Sequence, residues 1–292
     1  MSTSRTTGRI IAAFGRQYEV RLDDGRSITG FPLGKKSPYA CGDRVEVELS
    51  APDQGQIFKH LDRHSLLYRS DEWKQKLIAA NASQLVLVCA TEPGFTDELL
   101  TRALVAAEHD GIAVVIVLNK CDLTTGLENA RTQLAPFAAL GYPVIELSAK
   151  GDVSALRKCL EGHISVLVGQ SGMGKSTLIN GLIPGAAAAT REISEALDSG
   201  KHTTTHARLY DLPDMADSAI IDSPGLQEFG LAHLTIGEIE NAFPEFRPYV
   251  GQCRFRDCHH QAEPDCAIKK AVADGIIHPR RLAHFNKLIA GR

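Results

Sequence analysis

A glycine-rich octapeptide, Gly169-Gln170-Ser171-Gly172-Met173-Gly174-Lys175-Ser176, constrains this chain more than any other feature. It fits the spacing G-x-x-x-x-G-K-[ST] in full. The apolar run Ile164–Val168 before it reads as a buried strand, and Thr177 to Leu182 after it reads as a helix, the context in which that spacing has meaning. Glycines let backbone N–H groups turn inward onto phosphate oxygens, and the helix N-terminus adds partial positive charge. Lys175 can reach β and γ phosphates, Ser176 can bind Mg²⁺, and Thr177 is the next candidate contact.

Asn119-Lys120-Cys121-Asp122 stands upstream, at the end of the apolar strand Ala113 to Leu118. Ligands of open α/β sheets bind beyond such strand ends. A carboxylate at Asp122 can accept from the N1–H and N2–H of guanine, a donor pair that adenine lacks. Ser148-Ala149-Lys150 follows another strand, Pro143 to Leu147. Its backbone can donate to guanine O6, while Lys120 and Lys150 can pack their stems along the base. In Ras-like GTPases the base-reading tetrapeptide follows the phosphate loop, so the order here is reversed and a rearranged topology is expected. Asp222-Ser223-Pro224-Gly225, after the strand Ala219-Ile220-Ile221, fits a D-x-x-G switch. Asp222 would hold Mg²⁺ through water, and the Gly225 N–H would meet the γ-phosphate. Between the two phosphate elements, Lys201-His202-Thr203-Thr204-Thr205-His206 offers a hydroxyl to Mg²⁺. Thr204 is the candidate carried forward, although three adjacent threonines leave the identity open. Leu226 occupies the position where Ras-like proteins have the water-orienting glutamine, and Gln227 comes one residue late. Slow intrinsic hydrolysis is expected, with His202 the in-chain candidate for ordering water.

Cys253-x₄-Cys258-x-His260-x₅-Cys266 supplies three soft thiolates and one imidazole, a set suited to closed, tetrahedral, structural Zn²⁺. His259 competes with His260 for the fourth place. The other four of the seven cysteines are scattered, mostly in apolar settings, which argues against a disulfide framework.

The order Asn-Lys-x-Asp, Ser-Ala-Lys, phosphate loop, His-Thr-Thr-Thr, Asp-x-Pro-Gly resembles the circularly permuted GTPases. The string Cys253 to Cys266 is similar to the zinc module of one branch, the RsgA (YjeQ) family of small-ribosomal-subunit biogenesis GTPases. Gly42-Asp43-Arg44-Val45-Glu46-Val47 and Asp222 to Gly230 also resemble that family, so the likeness spans nearly the whole chain. It implies GTP hydrolysis stimulated by the small subunit, contact with rRNA, and release during late maturation. A nucleotide-gated RNA-binding module with incidental hydrolysis is the alternative.

The expected fold is multidomain α/β. Residues 1–65 alternate with a period near two and carry frequent turn signals, as in an OB-like β-barrel that binds RNA or the ribosome. Residues 69–231 read as a circularly permuted P-loop GTPase domain on a parallel sheet. Residues 232–292 read as a zinc-binding, mostly helical module, with Lys269, Lys270, Arg280 and Arg281 available to phosphates. The net charge of −3 hides a basic C-terminal end, where nine Lys and Arg face four Asp and Glu after position 246. No apolar run approaches the roughly 20 residues that span a bilayer. The polar start, Met1 to Arg9, lacks an apolar signal core. A cytoplasmic monomer that does not engage a membrane is expected.

Overall fold

The computed structural model describes residues 5–34, 38–71, 74–186, 207–223 and 229–290, with the backbone alone for 69–71 and 74–76. Five strands open the chain: β1 (Arg5–Phe14), β2 (Gln17–Leu22), β3 (Ser27–Pro32), β4 (Arg44–Ala51) and β5 (Gln54–His60). They pair in the closed order β1-β2-β3-β5-β4-β1, antiparallel except for β3 with β5. The strict alternation of β2 sends Tyr18, Val20 and Leu22 inward to meet Ile10, Ile28, Val45, Val47 and Ile57. Closure removes the sheet edges that would otherwise need cover.

β1 then leaves the barrel. Its register shifts between Ile10 and Ala12, and Ala12 pairs with Arg208 of the neighbouring sheet. The bulge points adjacent residues into different interiors: Ile10 lies in the barrel core, and Ile11 lies in the core under the next sheet. A second seam joins Cys41 and Gly42 to Ala80 and Asn81. The Ala80 N–H donates to the Cys41 carbonyl at 2.9 Å, and Asn81 Nδ2 donates to the Gly42 carbonyl at 3.2 Å. Gly42 has φ 94°, and a Cβ there would lie 2.1 Å from the Ala80 carbonyl oxygen, so the seam needs glycine.

A hairpin follows, β6 (Leu66–Asp71) with β7 (Lys74–Ala80), which the sequence reading did not foresee. Then strands and helices alternate: β8 (Gln84–Ala90), α1 (Asp97–Asp110), β9 (Ala113–Asn119), α2 (Leu127–Ala139), β10 (Val144–Glu146), α3 (Ser154–Cys159), β11 (Ile164–Val168), α4 (Lys175–Leu182), β12 (Arg208–Asp211) and β13 (Ala219–Asp222). The sheet order is β10-β9-β8-β11-β13-β12. All neighbours run parallel except β12, which is antiparallel to β13, a departure from the all-parallel expectation. β8, β9 and β11 read as continuous apolar runs because both faces of the sheet are covered.

α1 is capped at both ends. Thr96 accepts from the Leu99 N–H, and Gly111 closes the helix in the left-handed conformation. Its Leu100, Ala103, Leu104 and Ala107 face the sheet, while Val105 faces a separate core. That core belongs to the last segment: α5 (Ile236–Asn241), a 3₁₀ turn (Arg247–Tyr249), α6 (Ala267–Ala273) and α7 (Pro279–Ile289). Phe243 stacks on Phe246 at 4.8 Å, and both meet the edge of Phe285. Thr235 and Glu238 form a reciprocal capping box at the start of α5.

Candidate nucleotide site and candidate metal centre

Three strand ends converge at one edge of the sheet. β11 runs into the phosphate loop, β9 ends on Asn119, and β13 ends on Asp222. The placement follows the rule for open α/β sheets, and the loop then feeds the N-terminus of α4. Gly174 caps α4 with φ 89°, and a Cβ on it would lie 2.3 Å from Asn119 Nδ2. Glycine is what permits this approach.

Asn119 is 1% exposed, and its amide is used at both ends. Nδ2 donates to the Met173 carbonyl at 2.8 Å, and Oδ1 accepts from the Ala149 N–H at 2.8 Å. One side chain thus ties the phosphate loop to the base-side loop. Sequence reading places Asn119 among the nucleotide contacts, whereas here both its polar ends face protein. The bond also occupies the Ala149 N–H, one of the backbone donors of the Ser148–Lys150 loop. Met173 turns its side chain into the sheet core. Cys121 likewise closes the turn: its N–H donates to the Leu147 carbonyl and its thiol to the Leu118 carbonyl, each at 3.1 Å.

Asp122 is exposed at the mouth. A hydrogen bond from the Ser148 hydroxyl holds its carboxyl below the usual carboxylate range, and Lys150 and Lys120 add attraction. It is therefore an ionised acceptor at neutral pH. Lys120 is held in the left-handed region, φ 62°, and its Nζ donates to the Glu92 carbonyl at 2.5 Å. On the phosphate side, Lys175 Nζ folds back onto the Gly169 and Gln170 carbonyls, at 2.6 and 2.9 Å. Burial lowers its pKa against the pull of Asp222, and burial raises that of Asp222 against the pull of Lys175. Ser171, Gly172, Ser176 and Thr177 lie exposed around it. Gly225, His202 and Thr204 lie outside the described residues.

One loop at this edge escaped the sequence reading. Thr91-Glu92-Pro93-Gly94 follows β8 and reaches both halves of the site. Glu92 receives Lys120, and Pro93 Cδ sits 3.4 Å from where a Gly172 Cβ would be. The signal was available as a turn-like Thr-Glu-Pro-Gly string after an apolar strand that adjoins β9.

The ligand atoms of Cys253, Cys258, His260 and Cys266 lie within 4.8 Å of one another. His260 Nδ1 stands 3.2 Å from the Cys266 sulfur, 3.5 Å from Cys258 and 3.6 Å from Cys253. Its Nε2 meets Glu240 Oε1 of α5 at 2.9 Å, which orients the ring with Nδ1 toward the thiols. His259 is exposed and its backbone N–H donates to Glu263, and it is His260 that lies with the three thiols. Three thiols and an oriented imidazole fit a single metal ion.

The basic C-terminal residues are engaged differently from expectation. Arg280 pairs with Asp97 at 2.8 Å and Arg281 with Glu245 at 2.5 Å, while Lys287 pairs with Glu98. Arg247 pairs with Glu108 at 2.7 Å. Arg280, Lys287 and Arg247 thus dock on α1. Lys269 Nζ donates to the Glu263 carbonyl at 3.2 Å, and Lys270 pairs with Asp274 at 2.5 Å. The four cations read as free for phosphates all have protein partners.

The family model described as RsgA GTPase matches residues 60–232. The chain belongs to the RsgA GTPase family. It is a GTP-hydrolysing, circularly permuted P-loop protein, and the permutation is visible in β11, whose motif follows β8 and β9 in the chain yet sits at the centre of their sheet. The small ribosomal subunit biogenesis GTPase RsgA of Paraburkholderia phytofirmans (strain DSM 17436 / LMG 22146 / PsJN) is 56% identical over 296 residues, covering 99% of this chain and 94% of the relative. The protein of the same name from Burkholderia pseudomallei (strain K96243) is 56% identical over 290 residues, 98% of this chain and 92% of the relative. Among solved structures, YjeQ from Thermotoga maritima superposes with a TM-score of 0.76 at 28% identity, covering 99% of this chain and 100% of the other. YloQ, described as a circularly permuted GTPase, gives 0.70 at 25% identity, covering 98% and 94%. Among the described residues, no helix is long and apolar enough to cross a membrane.

Proposed function

We infer that this chain is a GTPase of small-ribosomal-subunit biogenesis, which binds the subunit, hydrolyses GTP and then dissociates. The observation that carries the nucleotide half is Asn119, whose amide joins the phosphate loop to the loop beside Asp122. Identity of 54–56% over nearly the full length to proteins named for that subunit carries the other half.

In this reading Asp122 selects guanine, Lys120 and Lys150 pack along its plane, and Ser148 keeps Asp122 ionised. The Gly169–Gly174 amides and Lys175 take the phosphates, with Ser176 and Thr177 at the helix start. Ser176 and Asp222 would hold Mg²⁺, which supplies charge neutralisation at the phosphates when bound. Gly225 would meet the γ-phosphate, Thr204 would complete the ion's ligands, and His202 would order water. Lys175 leaves the loop carbonyls when phosphate arrives, because phosphate oxygens carry more charge than carbonyls. Zn²⁺ is the ion we assign to Cys253, Cys258, His260 and Cys266, in a structural role. The proposed division is a barrel over 1–65, a GTPase unit over 69–231 and a zinc unit over 232–292, in a cytoplasmic monomer that contacts rRNA.

The test is turnover of purified protein with GTP and with ATP, with and without small subunits. GTP turnover rising by roughly a thousandfold or more on adding small subunits, of the order seen when a missing contact is supplied in trans, supports the reading. Equal use of ATP, or stimulation by free RNA alone, overturns it.

A further inference from the structure

We propose that Thr91 is a positioning residue for guanine recognition, holding Lys120 in the conformation that the base site requires. The inference rests on the reading of Asn119–Asp122 as the base site. Lys120 has φ 62°, a left-handed conformation that is unfavourable for a non-glycine residue unless neighbours hold it. Two consecutive residues do so. The Thr91 hydroxyl donates to the Lys120 carbonyl at 3.2 Å, and the Glu92 carbonyl accepts from Lys120 Nζ at 2.5 Å. Backbone and ammonium of one residue are thus fixed by one short loop.

The loop is itself well seated. Ala90 pairs with Asn119 in the last rung between β8 and β9, so Thr91 lies opposite Lys120 just beyond the ladder. Thr91 is 8% exposed, so its hydroxyl acts away from bulk water. On its other side the loop places Pro93 against the phosphate-loop glycine Gly172. With the Thr91 bond gone, the Lys120 carbonyl keeps only the Leu123 N–H at 2.9 Å, and the left-handed turn loses one of its two ties to the loop after β8. Asp122, two residues on, then loses its fixed bearing on the base edge.

Thr91→Val keeps the shape and removes the hydroxyl. Titration of fluorescent GDP is expected to show about fivefold weaker binding, the loss that corresponds to one hydrogen bond of the usual strength. KM for GTP should rise by a similar factor while kcat at saturation stays within about twofold. Thr91→Ser should restore affinity, because serine returns the donor, and Thr91→Ala should behave as valine does, which covers the case where valine packs poorly. Thermal midpoint and metal content are recorded for each variant. If wild-type protein shows no preference for guanine over adenine nucleotides, the base-site reading itself falls. If wild type shows the preference and Thr91→Val and Thr91→Ala bind GDP within twofold of it, only the role of Thr91 is overturned.

Discussion

Single side chains in this site act by holding other segments. Asn119→Ala would strip the Met173 carbonyl and the Ala149 N–H of their partner in a place closed to water. Each lost bond is worth about 1 kcal/mol. Fluorescent GDP titration should therefore show affinity lowered at least about tenfold, together with a lower thermal midpoint. Asp222 makes the opposite trade. Burial raises its pKa, so the folded protein holds this proton more firmly than the unfolded chain does. Its contribution to stability is then fullest below the unfolded value and is lost as pH rises through the folded one. At neutral pH the ionised form opposes folding. Asp222→Asn should raise the midpoint of the nucleotide-free protein, on the order of 2 °C, while Mg²⁺-dependent GTP binding collapses. Calorimetry at pH 7 decides it: a lower midpoint would mean that attraction to Lys175 outweighs burial.

At the scale of elements, what sequence conveys depends on whether the partners are near in the chain. The metal quartet was legible, because all four ligands fall within fourteen residues. The phosphate loop was legible for the same reason. The hairpin β6–β7 was not, since its strands begin just past the barrel pattern and run into the start of the alternating one. The partners of Arg280 and Lys287 lie 183 and 189 positions away, and no local pattern announces such a pair. Glu240 is a milder case: it stands twenty residues before His260, on a helix whose own pattern explains it as surface charge. Its removal should be costly nonetheless. Glu240→Ala frees the His260 ring, and competition with a chromophoric chelator should report metal affinity lowered about tenfold or more. Burial also pushes the Cys258 thiol up to about 12, so metal binding must displace its proton. Affinity should accordingly fall as pH falls, and chelation should loosen the Phe243–Phe246–Phe285 core, read as faster hydrogen exchange across 231–289.

Across the whole molecule, α1 serves two interiors at once, the sheet on one side and the metal-bearing segment on the other. Charged pairs line the second contact. Asp97 is the most enclosed of their carboxylates, with Arg280 and His284 both facing it. Arg280→Glu would set two carboxylates together there, at a cost of roughly 1–2 kcal/mol after allowance for the exposure of the arginine. Hydrogen exchange should rise in 231–289 and stay level in the sheet. Recovery in the swapped pair Asp97→Arg with Arg280→Asp should be partial, because Asp97 also favours the first turn of α1. The opposite end of the chain is joined by different means. β1 passes from the barrel into the nucleotide-bearing sheet without a linker, bonded on both sides of its bulge. A barrel on a tether would have to be oriented anew at each encounter with a large assembly, and the entropy of that search would weaken binding. Here the bearing is built in during folding, so the barrel surface and the strand ends that carry the candidate nucleotide site keep a preset angle to each other.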